Sequence, residues 1–260
     1  GAGANGWTDQ LVALSNGRTQ AEKNSDFITV KDYGAIGDGK LHPLSERFAT
    51  LADAQKKYPH VTSLDDSIDW AALQQAINNY NLSQRAIYLG DFKLCTNKTL
   101  EVKNPIVMFG ASNLGGGSAI IYYSGNDTAI RFKRDNFDVA DFSKWIYGAA
   151  IGNFGVQGIG GNAKKAFEFW GCSECGFDRL TIGASSNSHF VTGIELNGCS
   201  GNFFHNMVGS YNDVMFDFKI NTANRYSNNA IIHVSGGDFY ANKIMFKAGA
   251  LSGLYVSNTW

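Results

Sequence analysis

Short apolar segments separated by glycine and asparagine follow one another through the chain after Tyr80. Each segment spans only a few residues and no helical pattern lies between them, so they predict short β-strands. Strands this frequent are typical of a β-sandwich or a β-solenoid. The first predicted strands span residues 86–89, 99–102, 106–109, 120–123, 129–132 and 147–156.

A repeated segment favours the solenoid. Residues 166–180 match residues 193–207 at an offset of 27, with their Gly-Cys-Ser triplets and most apolar positions aligned. A looser copy, residues 215–219, follows 22 residues later, and residues 211–216 resemble residues 240–246 with one insertion. Repeats of this length predict the coils of a parallel β-helix.

The segment before the strands predicts an α-helix. Asp65, Asp66 and Ser67 supply side-chain oxygens and negative charge that suit a helix N-terminus. We expect this helix to cover the first coil, whose unpaired strand edges are otherwise prone to aggregation. Its apolar face, at helical spacing, consists of Trp70, Leu73, Ile77 and Tyr80.

Composition argues against several classes of function. With 260 residues, 44% of them hydrophobic, the chain can bury a large core. A net charge of -1 with scattered basic residues argues against nucleic-acid binding. No apolar run is long enough for a membrane span, and no secretory signal is recognisable. With 13% aromatic and only 17% charged residues, the expected surface suits sugar hydroxyls.

The cysteines and aspartates predict neither a metal nor a cofactor. Cys172 and Cys175 form one Cys-x-x-Cys pair, without the second pair or the histidines that a zinc site requires. We predict that these two, with Cys95 and Cys199, are small buried residues between coils. The nearest approach to a calcium loop, interpreted as an exposed loop over the coils, contains Asp135, Asp138 and Asp141.

Alternation within the repeated strand separates core positions from outward positions. The strand that begins at Ala166 is predicted to point its two phenylalanines inward, and Glu168 and Trp170 outward. The same pattern in the next two coils places Glu195, Asn197 and Asp217 outward. Glu168, Glu195 and Asp217 are therefore predicted to form one outward row on successive coils.

This row has the spacing that glycosidic hydrolysis requires. Rungs about 4.8 Å apart place adjacent carboxylates near the roughly 5–5.5 Å of retaining glycosidases, and carboxylates two rungs apart near the roughly 6.5–9.5 Å of inverting ones. Repulsion between close carboxylates raises one pKa, which favours an acid beside a base or nucleophile. The predicted catalytic residues are Glu168, Glu195 and Asp217, and the predicted substrate-binding residues are Trp170 and Asn197. In the alternative interpretation the three carboxylates are solvated or salt-bridged to Lys165, Lys219 or Lys247.

Three further residues are weaker candidates for acid–base chemistry. His205 and His233 lie in predicted strands, where a single histidine is usually a hydrogen-bonded structural residue. Asp178 lies beside Arg179 next to a turn, where an ion pair or an Asx turn is the expected arrangement.

Two N-terminal segments resemble a known family. Residues 30–39, VKDYGAIGDG, and residues 64–78, LDDSIDWAALQQAIN, are similar to the N-terminal segment of the pectate-lyase-like right-handed parallel β-helix family. Residues 43–59, which separate them, and the lead-in at residues 7–24 resemble bacteriophage tailspikes. The resemblance covers about the first third of the chain.

The resemblance implies an all-β fold, a right-handed parallel β-helix with a short capping helix. It implies a phage tailspike that binds and depolymerises bacterial capsular or O-antigen polysaccharide, by hydrolysis more than by elimination. It further implies a homotrimer, attachment to a phage tail or baseplate protein through a missing N-terminal region, and a place in the virion after synthesis in the host bacterial cytoplasm. No cofactor, nucleic acid or membrane is expected.

Three alternatives remain at this point. They are a non-catalytic receptor-binding spike, a polysaccharide lyase and a secreted pectinase. The absence of a signal peptide and the tailspike-like insertion argue against the pectinase.

The predicted organisation has three parts. Residues 1–26 form a neck with a weak helical period, residues 27–80 contain the start of the β-helix with the insertion and the capping helix, and residues 81–260 form the coils. Residues 253–258 have the pattern of a strand with no cap after it. We therefore expect the coils to continue beyond Trp260 or to be covered by neighbouring subunits.

Overall fold

The computed structural model of the chain describes residues 14–24, 26–83, 85–114, 118–161, 163–219, 229–249 and 251–259. These residues form a parallel β-helix, as predicted. The helices are α1 (Gln20–Asn24), α2 (Leu51–Lys57) and α3 (Ile68–Ser83). The strands are β1 (Ile28–Thr29), β2 (Ile87–Tyr88), β3 (Lys93–Thr96), β4 (Leu100–Val102), β5 (Val107–Phe109), β6 (Ala119–Tyr123), β7 (Thr128–Phe132), β8 (Ile146–Tyr147), β9 (Ala150–Gly158), β10 (Lys165–Trp170), β11 (Cys172–Ser173), β12 (Gly176–Ile182), β13 (Thr192–Asn197), β14 (Phe203–Ser210), β15 (Val214–Lys219), β16 (Asn229–Tyr240), β17 (Ile244–Ala248) and β18 (Leu251–Ser257).

The strands of the described residues form three sheets that run along the coils. Sheet 1 has ten strands, sheet 2 has the six strands β4, β7, β10, β13, β15 and β17, and sheet 3 pairs β8 with β11. All these strand pairs are parallel. One coil runs from β10 through β11 and β12 to β13. Glu174 and Arg179, with φ of 55° and 47°, turn the chain within this coil.

The strand register confirms the coil lengths predicted from the repeats. Glu168 pairs with Glu195, and Glu195 pairs with Asp217. These pairs have the sequence offsets of 27 and 22 residues that the repeats indicated. The repeats therefore align residues that are neighbours in space.

Stacked apolar side chains fill the coils. The ring centroid of Phe177 lies 4.6 Å from that of Phe169 and 4.8 Å from that of Phe204. All three side chains are buried, and full burial of a phenylalanine stabilises the fold by about 2–3 kcal/mol. Phe167 is also buried, which confirms the predicted inward face of this strand.

Buried asparagines connect consecutive coils at their turns. The Asn202 side chain accepts from the Cys175 N–H at 3.1 Å and donates to the Cys172 carbonyl at 2.9 Å. Asn229 accepts in the same way from the Cys199 N–H at 3.0 Å. The bonds from Cys175 and Cys199 satisfy backbone N–H groups at the turns, and the Cys172 carbonyl also accepts from the Ser200 N–H at 3.0 Å. As predicted, all four cysteines are buried, and none forms a disulfide.

Helix α3 covers the first coil and begins where the sequence predicts. The Ser67 hydroxyl accepts from the N–H groups of Asp69 and Trp70 at the helix N-terminus. The buried Asp69 carboxylate accepts from the N–H groups of Ile36 and Gly37, at 2.6 and 3.1 Å. It thereby fixes the glycine-rich segment, residues 34–39, to the helix. Three residues of the predicted apolar face, Trp70, Leu73 and Ile77, are buried.

Residues 1–13 of the predicted neck lie outside the described residues. The rest of that segment contains α1, and the insertion contains α2. Within the described ranges, no helix combines the length and the apolar character needed to cross a membrane.

Candidate functional site

An open groove of about 550 Å³ lies on the outer surface of sheet 2, across the rungs of β4, β7 and β10. Its lining is mostly charged and contains one tryptophan, so it suits a polar ligand. The lining residues that matter below are Glu101, Arg131, Lys133, Arg134, Glu168 and Trp170.

One row of outward side chains crosses this groove and continues along sheet 2. Neighbours in the row are in register, and their order is Glu101, Arg131, Glu168, Glu195, Asp217 and Lys247. The structure thus brings Glu168, Glu195 and Asp217 together as the sequence predicts. Of these three, Glu168 lines the groove.

The three carboxylates of the row are buried and salt-bridged. Glu168, Glu195 and Asp217 are 5%, 5% and 3% exposed. Lys165 Nζ lies 2.8 Å from an oxygen of each glutamate, and Lys219 Nζ lies 2.6 Å from Asp217 Oδ2. The salt bridges to Lys165 and Lys219 named in the alternative interpretation are thus present, whereas the three carboxylates are not solvated. The reason is that the lysines fold over the row and cover it.

Arg131 joins the two acidic residues of the row that line the groove. Its Nε lies 2.5 Å from Glu168 Oε2, and its Nη1 lies 2.8 Å from Glu101 Oε1. Its Nη2 lies 3.0 Å from Asp127 Oδ2. Arg131 and Glu101 were not among the residues predicted from the sequence. A signal was present, because Leu100-Glu-Val and Ile130-Arg-Phe share the apolar-charged-apolar pattern of Phe167-Glu-Phe.

Glu168 is held in its ionised form. Burial raises the pKa of Glu168, but hydrogen bonds and charges from Lys165 and Arg131 outweigh burial and lower it to about 2. The rise in pKa expected from repulsion along the row does not occur at Glu168, since Lys165 bridges Glu168 and Glu195. Glu168 therefore suits the role of a base, a nucleophile or an electrostatic partner, and not that of an acid.

Glu101 has a different environment. Burial raises the pKa of Glu101, and the neighbouring Arg131 offsets this only in part. Helix α3 fixes the Glu101 backbone, because the Gln74 side chain accepts from its N–H at 2.8 Å and donates to its carbonyl at 3.0 Å. Glu101 and Glu168 thus have pKa values displaced in opposite directions, which is a feature of acid–base pairs.

Trp170, a predicted substrate-binding residue, lines the groove beside Lys133. The Lys133 ammonium lies 4.3 Å from the centroid of the indole, and the Phe137 ring packs edge-on at 5.8 Å between centroids. The other predicted substrate-binding residue, Asn197, is 7% exposed, and its amide donates to Glu195 Oε1 at 3.2 Å. The amide of Asn197 is thus occupied within the protein, whereas Trp170 borders open space.

Two basic side chains of the groove have no acidic partner in the described part of the chain. Lys103 forms an ion pair with Asp135 at 2.7 Å, and Arg131 is surrounded by carboxylates. Lys133 and Arg134 form no ion pair among the residues that the structure covers, and Arg134 Nε is buried without a hydrogen-bond partner. Of the two, the Lys133 ammonium is available for the oxygen atoms of a ligand, whereas Arg134 Nη1 donates to the Ser143 carbonyl at 3.4 Å.

The weaker acid–base candidates lie on sheet 1, apart from the groove. His205 Nδ1 lies 2.8 Å from the hydroxyl of Ser235. His233 is stacked between two aromatic rings. Asp178 forms the expected ion pair with Arg179, at 3.0 Å.

The three aspartates at residues 135–141 serve the loop over the coils. Asp135 pairs with Lys103 at 2.7 Å. Asp138 accepts from the Ala140 N–H and Asp141 from the Ser143 N–H. In the described part of the chain, no group of three or more His, Cys, Asp or Glu side chains is arranged to hold a metal ion.

No protein-family model matches the chain, and no curated protein matches it either. Solved structures that share its fold include the following three. The tailspike protein gp49 from Pseudomonas phage LKA1 has a TM-score of 0.62 and 15% identity, over 89% of this chain and 56% of its own. ORF18 of Geobacillus virus E2 has a TM-score of 0.56 and 13% identity, over 91% and 42%. The tailspike of Acinetobacter phage vB_ApiP_P1 has a TM-score of 0.50 and 18% identity, over 95% and 46%. The chain thus spans about half the length of these proteins.

Proposed function

We propose that the chain is part of a phage tailspike that binds bacterial capsular or O-antigen polysaccharide and depolymerises it by glycosidic hydrolysis. The observation that carries this proposal is the groove of sheet 2, where two carboxyl groups with oppositely displaced pKa values lie beside a tryptophan. The fold shared with solved tailspikes supports the biological setting. In this proposal the spike is a homotrimer on the virion, attached through a tail or baseplate protein.

Within this function we assign Glu168 as the catalytic carboxylate of the groove. Trp170 offers its ring to a sugar, and Lys133 donates to sugar oxygens. Glu195 and Asp217, the next carboxylates of the row, remain predicted catalytic residues, and Asn197 remains a predicted substrate-binding residue. Their support is their place in the register beside Glu168.

A polysaccharide lyase is the second candidate. The observation that favours it is the pair of basic side chains in the groove, Lys133 and Arg134, that have no acidic partner among the described residues. In an elimination, a basic side chain removes the proton next to a uronate carboxylate. The product is an unsaturated uronate that absorbs ultraviolet light.

The test is incubation of the chain with a panel of purified capsular and O-antigen polysaccharides, following new reducing ends and ultraviolet absorbance in parallel. We expect reducing ends without absorbance, and a rate at least about 100-fold lower in Glu168→Gln, with binding retained. Glu174→Gln is the control, because Glu174 is exposed and lies outside the groove. Absorbance supports the lyase, and binding without cleavage supports a non-catalytic receptor-binding spike.

A further inference from the structure

The groove holds two carboxyl groups that stand two rungs apart, with a guanidinium on the rung between them. Glu101 on β4, Arg131 on β7 and Glu168 on β10 are in register. With rungs about 4.8 Å apart, the backbones of Glu101 and Glu168 are separated by roughly 9.6 Å. Carboxyl groups roughly 6.5–9.5 Å apart leave room for a water molecule beside the sugar, as inverting glycosidases require.

Each of the two carboxyl groups is held in place. Arg131 contacts both, at 2.8 Å from Glu101 and 2.5 Å from Glu168. Gln74 of helix α3 bonds to both backbone groups of Glu101. On the other side, Lys165 Nζ and the Thr128 hydroxyl lie 2.8 and 3.2 Å from Glu168. The pair is therefore fixed relative to the groove before any ligand binds.

The surroundings of Glu101 and Glu168 differ, and the difference indicates which of the two carboxyl groups carries a proton. Glu168 is 5% exposed and receives hydrogen bonds from Arg131, Lys165 and Thr128, so it remains an anion. The Glu101 side chain is 35% exposed and contacts one cation, Arg131, while Lys103 and the Glu168 charge lie nearby. Of the two, Glu101 takes up a proton more readily.

The adjacent carboxylate, Glu195, is less suited to pair with Glu168. Glu168 and Glu195 stand on adjacent rungs about 4.8 Å apart, which is closer than the roughly 6.5–9.5 Å of an inverting pair, and Lys165 Nζ bridges them. Glu195 is also outside the lining of the groove. A sugar in the groove therefore meets Glu101 and Glu168 together.

We propose, on the premise that the groove hydrolyses a glycan, that Glu101 is the catalytic acid and Glu168 the catalytic base of one inverting reaction. The Glu101 carboxyl gives its proton to the glycosidic oxygen as the bond from that oxygen to the anomeric carbon breaks. The Glu168 carboxylate takes a proton from a water molecule, whose oxygen bonds to the opposite face of the anomeric carbon. One water is consumed, and each carboxyl returns to its starting state by exchanging one proton with solvent.

The test uses the 260-residue chain and a polysaccharide that the wild type cleaves. We expect Glu101→Gln to lower kcat by about 10²- to 10⁴-fold, to retain binding of the polysaccharide, and to remove the alkaline limb of the pH–rate profile. Proton NMR of the first wild-type products is expected to show inverted anomeric configuration. Glu174→Gln, outside the groove, serves as the matched carboxyl control.

Two results overturn the pair. They are near-normal kcat in Glu101→Gln and retained anomeric configuration in the products. Glu101→Asp, which keeps a carboxyl group, is expected to recover activity relative to Glu101→Gln, so a folding defect is distinguished from loss of the acid. If the wild type forms elimination products, both the hydrolytic function and the assignment of Glu101 and Glu168 are wrong. If Glu101→Gln still hydrolyses the polysaccharide, only that assignment is wrong.

Discussion

The two long sheets of the β-helix share one backbone spacing and carry different chemistry on their outer surfaces. On sheet 2, a row of charged side chains crosses the groove, and its carboxylates form ion pairs with arginine and lysine side chains. On sheet 1, Phe203, His233 and Tyr255 stack on successive rungs, with 4.8 Å between ring centroids. The parallel ladder fixes the spacing of both rows, so their difference lies in the side chains alone.

This difference bears on which surface carries the chemistry. A buried ion pair adds little net stability, because desolvation offsets most of its attraction, and an apolar replacement is often as stable. Stacked aromatic rings stabilise a fold directly. Stability therefore accounts for the aromatic row of sheet 1 but not for the charged row of sheet 2, and this difference supports our proposal that sheet 2 is the functional surface.

The largest expected effect is a difference in stability between variants that break an ion pair on sheet 2 and on sheet 1. Arg131→Met leaves Glu168 buried with one of its two cations removed, and we expect the free energy of unfolding to fall by about 3 kcal/mol. Arg179→Met is the control on sheet 1, where Arg179 and Asp178 have side chains 56% and 42% exposed. We expect that variant to lose less than about 1 kcal/mol. Chemical denaturation of both variants provides the measurement, and equal losses would contradict the comparison.

Acid should weaken the charged row through Glu168. Because the pKa of Glu168 falls from an ordinary value of about 4.3 to about 2 on folding, the unfolded chain binds this proton more readily. The stability from Glu168 is complete above about pH 5 and is lost as the pH falls towards about 2, at most on the order of 3 kcal/mol. Between pH 7 and pH 3, the free energy of unfolding is expected to fall more steeply with decreasing pH for the wild type than for Glu168→Gln. Parallel curves would show that Glu168 makes no such contribution.

Much of the fold could be predicted because its determinants are local or repeated. The match of residues 166–180 to residues 193–207 gave the register, and the Ser67 cap gave the start of helix α3. The strand Lys93–Thr96 was missed. Its apolar and polar residues are too few to form a pattern.

The site was predicted less completely, for two physical reasons. Alternation shows that Glu168 points out of the core, but not that Lys165, from the start of the same strand, folds over it. Glu101 and Arg131 belong to the same row, yet 30 residues separate them, and 37 separate Arg131 from Glu168. Coils of unequal length hide such positions from a comparison at constant offset.

Glycan binding gives a smaller contrast between the two sheets. Trp170→Ala removes an aromatic ring that lines the groove of sheet 2. We expect it to weaken polysaccharide binding about tenfold, which corresponds to about 1.4 kcal/mol. Tyr255→Ala, which removes a 58% exposed ring from sheet 1, is expected to leave binding unchanged. Affinity electrophoresis in a polysaccharide gel measures the affinity of both variants. Weaker binding by Tyr255→Ala would place the glycan on sheet 1 and contradict the proposal.

The smallest expected effect concerns the aromatic row. Phe203→Ala removes a ring that is 50% exposed and stacked on His233. We expect it to lower the free energy of unfolding by about 0.5–1.5 kcal/mol and to leave polysaccharide cleavage unchanged. Thermal melting and the reducing-end assay report the two quantities separately. A loss of cleavage without a loss of stability would assign chemistry to sheet 1.

The most direct test of the central claim is a crystal structure of Glu168→Gln with an oligosaccharide from the polysaccharide that the wild type cleaves. We expect sugar rings to occupy the groove of sheet 2, with one ring against Trp170 and a glycosidic oxygen within hydrogen-bond distance of Glu101. An oligosaccharide bound along Phe203, His233 and Tyr255 on sheet 1, with the groove of sheet 2 empty, would contradict the central claim.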